Sequence, residues 1–369
     1  MKVLYATTVS GTIGAFLVPH INMLLDSGYQ VDIACNVESP INSQLLERGC
    51  RIFNIEFQRS PLEKRNFLAY KKLKKLIKSE GYDIVHTHTP IASACVRLAC
   101  RNLAEVKVIY TAHGFHFFKG ASFKNWLIYY PIERYLAKYT DVLITINKED
   151  YERAKKSFEV RRVEYVPGVG LDTKKFSAVV VDKIHKREEL GVPKDAVVIL
   201  SVGELNKNKN HEVIIRAVAK LNNSDIYYVI CGRGPLENRL KELSKELGLE
   251  NHVKLLGDRR DIAEICKVVD IFAFPSFREG LSLALMEAMA SGLPVVCSNI
   301  RGNTDLIENG KGGYLISPND IDGYSRAIEE ISQCNLIVDN QINMKNIKKF
   351  NVDNVKEKLK GIYDSLSGG

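Results

Sequence analysis

The sequence of 369 residues lacks any uninterrupted apolar run of the roughly 18 residues that a membrane-spanning helix needs. Residues 1–11 are too short in their apolar part for a signal peptide, and they are typical of a first β-strand. These two absences argue against an integral membrane protein and against a secreted one. We therefore expect a protein of the cytoplasm.

The eight cysteines form no Cys-x-x-Cys pair, and most of them lie within apolar stretches. Such spacing argues against a zinc site and against a disulfide framework. We expect reduced cysteines in the core, at Cys35, Cys50, Cys95, Cys100, Cys231, Cys266, Cys297 and Cys334.

The loop after the first predicted strand, Val9–Gly14, has glycines at positions 11 and 14 but not the Gly-x-Gly-x-x-Gly pattern of dinucleotide-binding folds. A helix is predicted to follow over residues 15–27. The loop is either a plain strand-to-helix turn or a segment beside a bound ligand.

Apolar strands alternate with amphipathic helices along the chain, which predicts doubly wound parallel sheets in an α/β fold. A Pro-Gly-Val-Gly break at residues 167–170 interrupts the alternation, which then restarts. The length fits two domains. We predict an N-terminal Rossmann-like domain over 1–168, a C-terminal one over 169–345 and a helical tail over 346–369, with ligands bound in the cleft between domains.

Basic residues are concentrated in the first half of the chain. Residues 1–172 hold 24 Lys and Arg against 17 Asp and Glu, whereas the remainder holds 28 against 27, so the excess positive charge is +7 before residue 173 and +1 after it. The segment Arg59–Lys78 alone has eight basic residues and one acidic residue. A helix predicted over 62–79 is either core-packed with a solvated basic face or a contact for an anionic membrane.

Two glutamates mark the stretch from Ser276 to Ser298, which reads Ser-Phe-Arg-Glu-Gly-Leu-Ser-Leu-Ala-Leu-Met-Glu-Ala-Met-Ala-Ser-Gly-Leu-Pro-Val-Val-Cys-Ser. A buried strand is predicted before it, and a helix is predicted to begin near Ser282. The free N–H groups and partial positive charge of a helix start suit a diphosphate. Gly280 lets backbone approach a ligand closely.

The two carboxylates of this stretch suit a sugar nucleotide. Glu279 lies in the loop, where it can accept hydrogen bonds from hydroxyls. Glu287 lies on the helix among apolar and small neighbours, where a carboxylate is costly unless it meets a donor such as a ribose hydroxyl. The alternative is an ion-paired or capping role for either glutamate.

Glutamates with seven residues between them, in this setting, resemble the signature of the retaining glycosyltransferases of family 4, which have the GT-B fold. Ser201–Leu205 with Lys209 resembles a further loop of that family, Gly232–Leu236 its Gly-x-Gly-Pro turn, and Ser298–Pro318 its closing segment. The resemblance implies two facing Rossmann-like domains and a C-terminal helix that packs back on the N-terminal one. Within the family it is closest to bacterial enzymes of capsule and exopolysaccharide synthesis.

The same resemblance implies roles for individual residues. Glu279 and His113 would be catalytic, Glu279 binding the hydroxyls of the donor sugar and His113 contacting that sugar near the reacting carbon. Lys209 would neutralise the diphosphate leaving group, which is physically sensible because charge builds on the leaving oxygen. Glu287 would hold the ribose. The other implied donor-binding positions are Gly14, Gly203, Arg233, Arg278, Gly280, Leu281 and Ser282.

One position departs from the family pattern, because Glu204 stands where arginine is usual. An acid beside a diphosphate would repel it, so either Glu204 points away or another cation compensates. The candidates are Arg233, Arg259, Arg260 and Arg278.

Four histidines follow two predicted strands, at His86, His88, His113 and His116. Such a group raises the question of a metal, but no acid or cysteine nearby completes a ligand set. The family resemblance implies no metal and no cofactor, the sugar nucleotide being a co-substrate. His86, His88 and His116 are expected to be structural or to face the acceptor.

The basic helix and the aromatic-rich residues 115–130 favour a lipid-linked acceptor. We expect transfer of a hexose or N-acetylhexosamine from a UDP-sugar to a glycan on polyprenyl diphosphate, by an enzyme peripheral on the inner face of the plasma membrane. A UDP-sugar 2-epimerase of the same fold and a nucleic-acid-binding protein are the alternatives. The second is disfavoured, since no stacking platform or reading helix is apparent.

Overall fold

The computed structural model describes residues 1–333 and 340–367, and it divides into two compact units. The first unit comprises Met1–Gly170 together with Val352–Gly369, and the second comprises Leu171–Asn351. Each unit is built around its own parallel sheet.

The first unit holds a seven-stranded parallel sheet in the order β3-β2-β1-β4-β5-β6-β7. Its strands are β1 Lys2–Val9, β2 Gln30–Asn36, β3 Ile52–Asn54, β4 Ile84–Thr87, β5 Lys107–Ala112, β6 Val142–Thr145 and β7 Arg162–Tyr165. Both faces of the sheet are buried: Val3 and Tyr5 pack into one apolar cluster, Leu4 and Ala6 into another. The strand order reverses direction between β1 and β4, which is where such sheets bind ligands.

Helices cover both faces of this sheet. Their bounds are Ser10–Thr12, a π-helical turn Ile13–Leu17, Val18–Asp26, Ser43–Glu47, Arg65–Glu80, Pro90–Cys100, Phe123–Ala137, Lys148–Ser157 and Val352–Ser367. The prediction of a turn over residues 9–14 was wrong, because the chain is helical from Ser10 onward. Gly11 and Gly14 are exposed within it, and a methyl group added to either would meet no atom within 4 Å.

The last helix, Val352–Ser367, packs on the first unit, as the family resemblance implied. Val355, Leu359, Ile362 and Tyr363 are buried in the same apolar cluster as Val3 and Tyr5. The apolar core of the first unit is therefore completed by a helix that follows the whole second unit in sequence.

The second unit holds a six-stranded parallel sheet in the order β10-β9-β8-β11-β12-β13. Its strands are β8 Val197–Val202, β9 Ile226–Cys231, β10 Val253–Gly257, β11 Ile271–Phe274, β12 Val295–Ser298 and β13 Gly313–Ile316. Alternate residues of β8 enter different clusters, Val198 and Leu200 one and Ile199 the other. β8 and β11 are neighbours, so the loops after them lie side by side.

The helices of the second unit are Thr173–Ser177, Lys183–Glu189, His211–Leu221, Glu237–Glu246, Ile262–Val268, Leu283–Ala290, Asn303–Leu306, Ile321–Ser332 and Asn340–Ile347, followed by the 3-10 turn Lys348–Phe350. No helix among the described residues is long and apolar enough to cross a membrane. Cys334 lies outside the described residues, and the other seven cysteines are free and buried.

Candidate functional site

The turn after β11 has the form expected for an anion site. Ser282 is the N-cap of helix Leu283–Ala290, and its side chain accepts the Leu285 N–H at 3.4 Å. The N–H groups of Gly280, Leu281 and Ser282 donate to no acceptor in the described part of the chain. These donors, together with the positive end of the helix, remain available to an anion.

Neighbouring loops hold this turn in place from both sides. Phe277 N–H donates to the Asn208 carbonyl at 2.8 Å, and Asn208 Nδ2 donates to the Arg278 carbonyl at 3.0 Å. On the other side the Arg301 Nε donates to the Glu279 carbonyl at 3.1 Å. Gly302 packs directly against the Gly280 carbonyl, leaving no room for a Cβ. The backbone around Glu279 is thus fixed by contacts rather than left as a mobile loop.

Glu279 and Lys209 form an ion pair of 2.8 Å between Oε1 and Nζ. Their side chains are 15% and 20% exposed, and the Lys209 ammonium lies 4.7 Å from the centroid of the Phe274 ring. The lysine stem packs over Gly203, where an added Cβ would come within 3.1 Å of it. The strand order brings these residues together, because they follow the neighbouring strands β8 and β11.

Glu287 differs from Glu279 in its surroundings. It is half-buried on the helix, and its carboxylate makes no ion pair or side-chain hydrogen bond with any described residue. Burial raises the pKa of Glu287, and the charge of Lys175 opposes this only partly. A carboxylate in this state is satisfied by a ligand that brings hydroxyl donors.

A cavity of about 360 Å³ opens beside the same strand ends. It is lined by Val202, Gly203, Glu204, Cys231, Gly232, Arg233, Asp258, Arg259 and Ile262. Gly232 approaches the Gly203 carbonyl so closely that a Cβ would overlap it. A cavity of this size suits a flat ring system such as a nucleobase.

The arginines expected to offset the charge of Glu204 differ in their exposure and in their ion pairs. Glu204 is exposed and accepts a hydrogen bond from Asn206 Nδ2 at 2.8 Å. Arg259 is held by the carboxylates of Asp261 and Glu189, which cancel its charge. Arg233 is 73% exposed and lies 3.5 Å from Asp258. Arg278 and Arg260 are exposed and make no ion pair among the described residues, which leaves them as the freer cations.

Histidines gather at the carboxyl ends of β4 and β5 in the first unit. His86 Nδ1 lies 2.7 Å from the Tyr363 hydroxyl, and its Nε2 lies 2.8 Å from Thr111 Oγ1. His88 Nδ1 lies 3.2 Å from His113 Nε2. No group of three or more His, Cys, Asp or Glu side chains within residues 1–333 and 340–367 is arranged to hold a metal ion.

His113 is half-buried at the end of β5, and its ring lies 5.0 Å from that of Phe16. Burial, with a smaller contribution from His20, lowers the pKa of His113 to about 4. The ring is therefore neutral at pH 7. Gly14 belongs to the π-helical turn beside Phe16, a feature often found at functional sites.

The expected lipid-facing surface is only partly as predicted. Phe115 and Phe117 are buried, and Trp126 and Tyr130 pack against Phe117. The opposite face of helix Phe123–Ala137 is exposed and apolar instead, at Phe123, Leu127, Ile128, Ile132 and Tyr135. On the basic helix Arg65–Glu80, Leu73 and Ile77 are buried, whereas Phe67 is 59% exposed.

Sequence reasoning missed Asn208, Arg301 and Gly302, which hold the turn around Glu279. No motif in the sequence around Asn208, which directly precedes Lys209, indicated that it would hold this turn. Gly302 stands just after β12, where a glycine followed by a helix start could have suggested a close backbone approach.

Two family models match the chain. The model described as glycosyl transferases group 1 matches residues 182–349, and the model described as glycosyl transferase 4-like matches residues 2–147. Together they span most of both units, and the first includes the turn that carries Glu279 and Glu287.

Two curated relatives match over most of their length. EpsD of Bacillus subtilis (strain 168), named as a glycosyltransferase, is 37% identical over 336 residues, covering 89% of this chain and 87% of that protein. The UDP-Gal:alpha-D-GlcNAc-diphosphoundecaprenol alpha-1,3-galactosyltransferase of Escherichia coli is 32% identical over 356 residues, covering 92% and 90%.

Solved structures share the fold at lower identity. HepE of Anabaena, crystallised with UDP and glucose, matches with a TM-score of 0.81 and 19% identity over 99% of this chain and all of that one. Sucrose-phosphate synthase of Thermosynechococcus elongatus matches with a TM-score of 0.82 and 19% identity over 99% of each chain. The two parallel-sheet units are those of the GT-B fold. The chain belongs to the group 1 glycosyltransferases and is a glycosyltransferase of GT-B fold.

Proposed function

We propose that this glycosyltransferase moves a hexose or N-acetylhexosamine, with retention of anomeric configuration, from a UDP-sugar to a glycan carried on polyprenyl diphosphate. The observation that carries the donor half is the pair of glutamates around an N-capped helix start, one paired with Lys209 and the other unpaired. The name of the E. coli relative supports the UDP donor and the lipid-diphosphate acceptor. Family membership disfavours the epimerase and nucleic-acid alternatives.

The donor is proposed to bind along the strand ends of the second unit. The free N–H groups of Gly280, Leu281 and Ser282 hold sugar and phosphate oxygens, and Lys209 neutralises the diphosphate. Glu287 accepts the ribose hydroxyls, which satisfies its half-buried carboxylate. The nucleobase occupies the cavity of about 360 Å³ beside Gly203 and Arg233, and Arg278 adds positive charge near the phosphates.

Lys209 has two roles that follow one another in this proposal. Before the donor binds, its ammonium pairs with Glu279 at 2.8 Å. A diphosphate carries more negative charge than one carboxylate and draws the ammonium away. Glu279 is then free to accept hydroxyls of the donor sugar, so donor binding prepares the carboxylate for its task.

The chemical step is proposed to need no metal and no covalent enzyme intermediate. The acceptor hydroxyl attacks the anomeric carbon on the face that UDP leaves. The bond from that carbon to the phosphate oxygen breaks, and the hydroxyl proton passes to the departing phosphate. His113 is neutral, so its ring adds no net positive charge beside the sugar, and its backbone carbonyl steadies the developing positive charge.

The first unit is proposed to meet the membrane that carries the acceptor, at the inner face of the plasma membrane. Helix Phe123–Ala137 exposes an apolar face, with Phe123 81% and Leu127 65% exposed. The basic helix Arg65–Glu80 can add attraction to anionic lipid, at about 1 kcal/mol per basic residue near the surface.

Glu279→Ala tests the donor site directly. We expect transfer to fall to background with the fold intact, because the sugar loses its carboxylate partner and the turn loses only a side chain. Glu242→Ala, at an exposed glutamate of the same unit, is the matched control and should keep full activity. Unchanged turnover in the Glu279 variant contradicts the assignment.

A screen of UDP-sugars against polyprenyl-diphosphate-linked acceptors, with NMR of the product, tests the reaction. UDP release that depends on added acceptor, together with an α-configured product from an α-configured donor, is expected. Sugar isomerisation without acceptor would instead support an epimerase. Full activity after exhaustive chelation is expected, and loss that Mg²⁺ restores would contradict metal independence.

Vesicle co-sedimentation tests the membrane contact. Binding to anionic vesicles at low salt should weaken at high salt and in Leu127→Ser. The control Val180→Ser changes a 95% exposed apolar residue of the second unit and should bind like the parent. Absence of binding at low salt contradicts this part of the proposal.

A further inference from the structure

The proposed function gives His88 no role, yet this residue makes the one side-chain hydrogen bond of His113 among the described residues. His88 follows β4 and is 2% exposed. Its Nδ1 lies 3.2 Å from His113 Nε2. Its Nε2 is buried and has no hydrogen-bond partner in the described part of the chain.

Aromatic neighbours fix the orientation of the His88 ring. It stacks on Tyr5 at 5.2 Å and on His86 at 4.2 Å between centroids, with interplanar angles of 25° and 29°. The ring of His113, 5.4 Å away, is joined to it by the hydrogen bond. Stacking fixes the plane of the ring, and a 180° flip within that plane would turn Cδ2 toward His113 and lose the hydrogen bond. The Nδ1 atom is therefore kept toward His113.

The surroundings also keep both rings neutral. Burial is the main reason that the pKa of His88 is far below its ordinary value, and the titratable groups facing it are Tyr5, His86, His113 and His20. None of these carries a negative charge that would favour an imidazolium, because burial raises the pKa of Tyr5 above its ordinary value. Two neutral rings in hydrogen-bond contact share one proton between the facing nitrogens.

That proton can belong to either ring, and the orphaned nitrogen decides between the two arrangements. If His113 Nε2–H were the donor, the proton of His88 would lie on its buried Nε2 with no acceptor. If His88 Nδ1–H is the donor, Nε2 is only an unused lone pair. An orphaned buried N–H is rarer in proteins than an under-used acceptor.

We propose that His88 is a positioning residue that donates its Nδ1–H to His113 Nε2 and so holds His113 as the Nδ1–H tautomer. Resting on the proposed function, this gives His113 a defined role toward the donor. The nitrogen left to face a ligand carries a proton, so it donates a hydrogen bond to an oxygen of the sugar. It cannot act as the base that deprotonates the acceptor hydroxyl.

The direct test is NMR of the full chain with ¹⁵N-labelled histidine at pH 7. Long-range ¹H–¹⁵N correlations distinguish the two neutral tautomers, and His113→Gln identifies the signals by their loss. His113 protonated at Nδ1 is the expected result. His113 protonated at Nε2 overturns the proposal, whatever the activity of the enzyme.

Variants at His88 connect the tautomer to turnover. His88→Asn places an amide near the position of Nδ1 and is expected to keep both the Nδ1–H signal of His113 and most of kcat. His88→Phe keeps the stacking but lacks the donor. It should give mixed tautomers and lower kcat about tenfold, with the KM for donor little changed. Equal kcat in the two variants contradicts the positioning role.

The readouts separate this inference from the proposed function. If no UDP-sugar is turned over, the NMR measurement on wild-type protein still decides the tautomer. If turnover is normal and His113 carries its proton on Nε2, only the role of His88 is wrong. Unfolding curves of both variants exclude misfolding as the cause of a change.

Discussion

Replacing Glu287 by glutamine should stabilise the ligand-free protein and weaken donor binding at the same time. The carboxylate is half-buried and unpaired among the described residues, and burial raises its pKa. The neutral amide of glutamine is cheaper to bury and keeps the shape of the side chain. The wild-type residue is thus costly to the empty protein and useful only when a ligand supplies donors.

The magnitude follows from the cost of an unsatisfied polar group. Such groups destabilise by about 1–3 kcal/mol, and the half-burial of Glu287 places it at the lower end. A gain of about 1 kcal/mol raises Tm by roughly 2–4 °C in a unit of this size. Loss of charge-assisted hydrogen bonds worth about 1.5–3 kcal/mol weakens the binding of UDP about 10- to 100-fold.

The assay is thermal unfolding with and without saturating UDP. Glu287→Gln should have the higher Tm alone but a smaller rise on adding UDP. Glu279→Gln is the matched comparison on the same turn. It should lower Tm, because it leaves Lys209, 20% exposed, without its carboxylate at 2.8 Å.

The stability difference between Glu287→Gln and the wild-type protein should change with pH in a defined direction. A carboxylate with a raised folded-state pKa contributes stability that is present below its ordinary pKa and is lost as pH rises through the folded value. The advantage of Glu287→Gln should therefore be large at pH 8 and shrink toward pH 4.5, the ordinary value for glutamate. A lower Tm in both glutamine variants would falsify this account of the site.

Further predictions concern other parts of the fold. The pKa of His113 is about 4 in the folded protein against an ordinary 6.5. Folding stability should therefore fall as pH drops from 6.5 to 4, by about 3 kcal/mol for this group, measured by urea unfolding. Arg97→Met leaves the half-buried carboxylate of Glu133 without its 2.8 Å partner and should cost about 3 kcal/mol, much of it recovered when Glu133→Leu is added. Gly302→Ala should lower transfer by about 100-fold, since the new methyl displaces the turn that carries Glu279. Gly310→Ala is its control, because Gly310 has a similar positive φ but open space around it. Normal transfer in both glycine variants would contradict the role given to Gly302.

The turn with the paired glutamates was predictable because its signals are local. A buried strand, a serine cap and an apolar helix follow one another within about twenty residues, so Ser282 as the helix start needed no knowledge of the rest of the chain. The helix Pro90–Cys100 was not predicted, although proline in a first turn is a common helix start. The glycines at 11 and 14 argued for a turn, but both are exposed in a continuous helix.

For residues far apart in the sequence, the strand order predicts which loops are neighbours but not which side chains make contact. The strand order places the loops after β8 and β11 side by side, but not the ion pair between Lys209 and Glu279 across 70 residues. The bond from Tyr363 to His86 joins residues 277 apart. No periodicity or motif marks Tyr363 among the tyrosines of the chain, so its role required the three-dimensional structure.

The helix Val352–Ser367 gives the order of synthesis a consequence for folding. The ribosome completes the sheet of the first unit early, yet Tyr363, which covers His86 and Tyr5, emerges only after all of Leu171–Asn351. During translation, part of the apolar core of the first unit therefore remains exposed while the second unit is synthesised and folds. Nascent chains halted before residue 352 should bind chaperones through that open face and leave the histidines without their tyrosine partner. The histidine network is completed by Tyr363, so a chain halted before that residue lacks the hydrogen bond to His86.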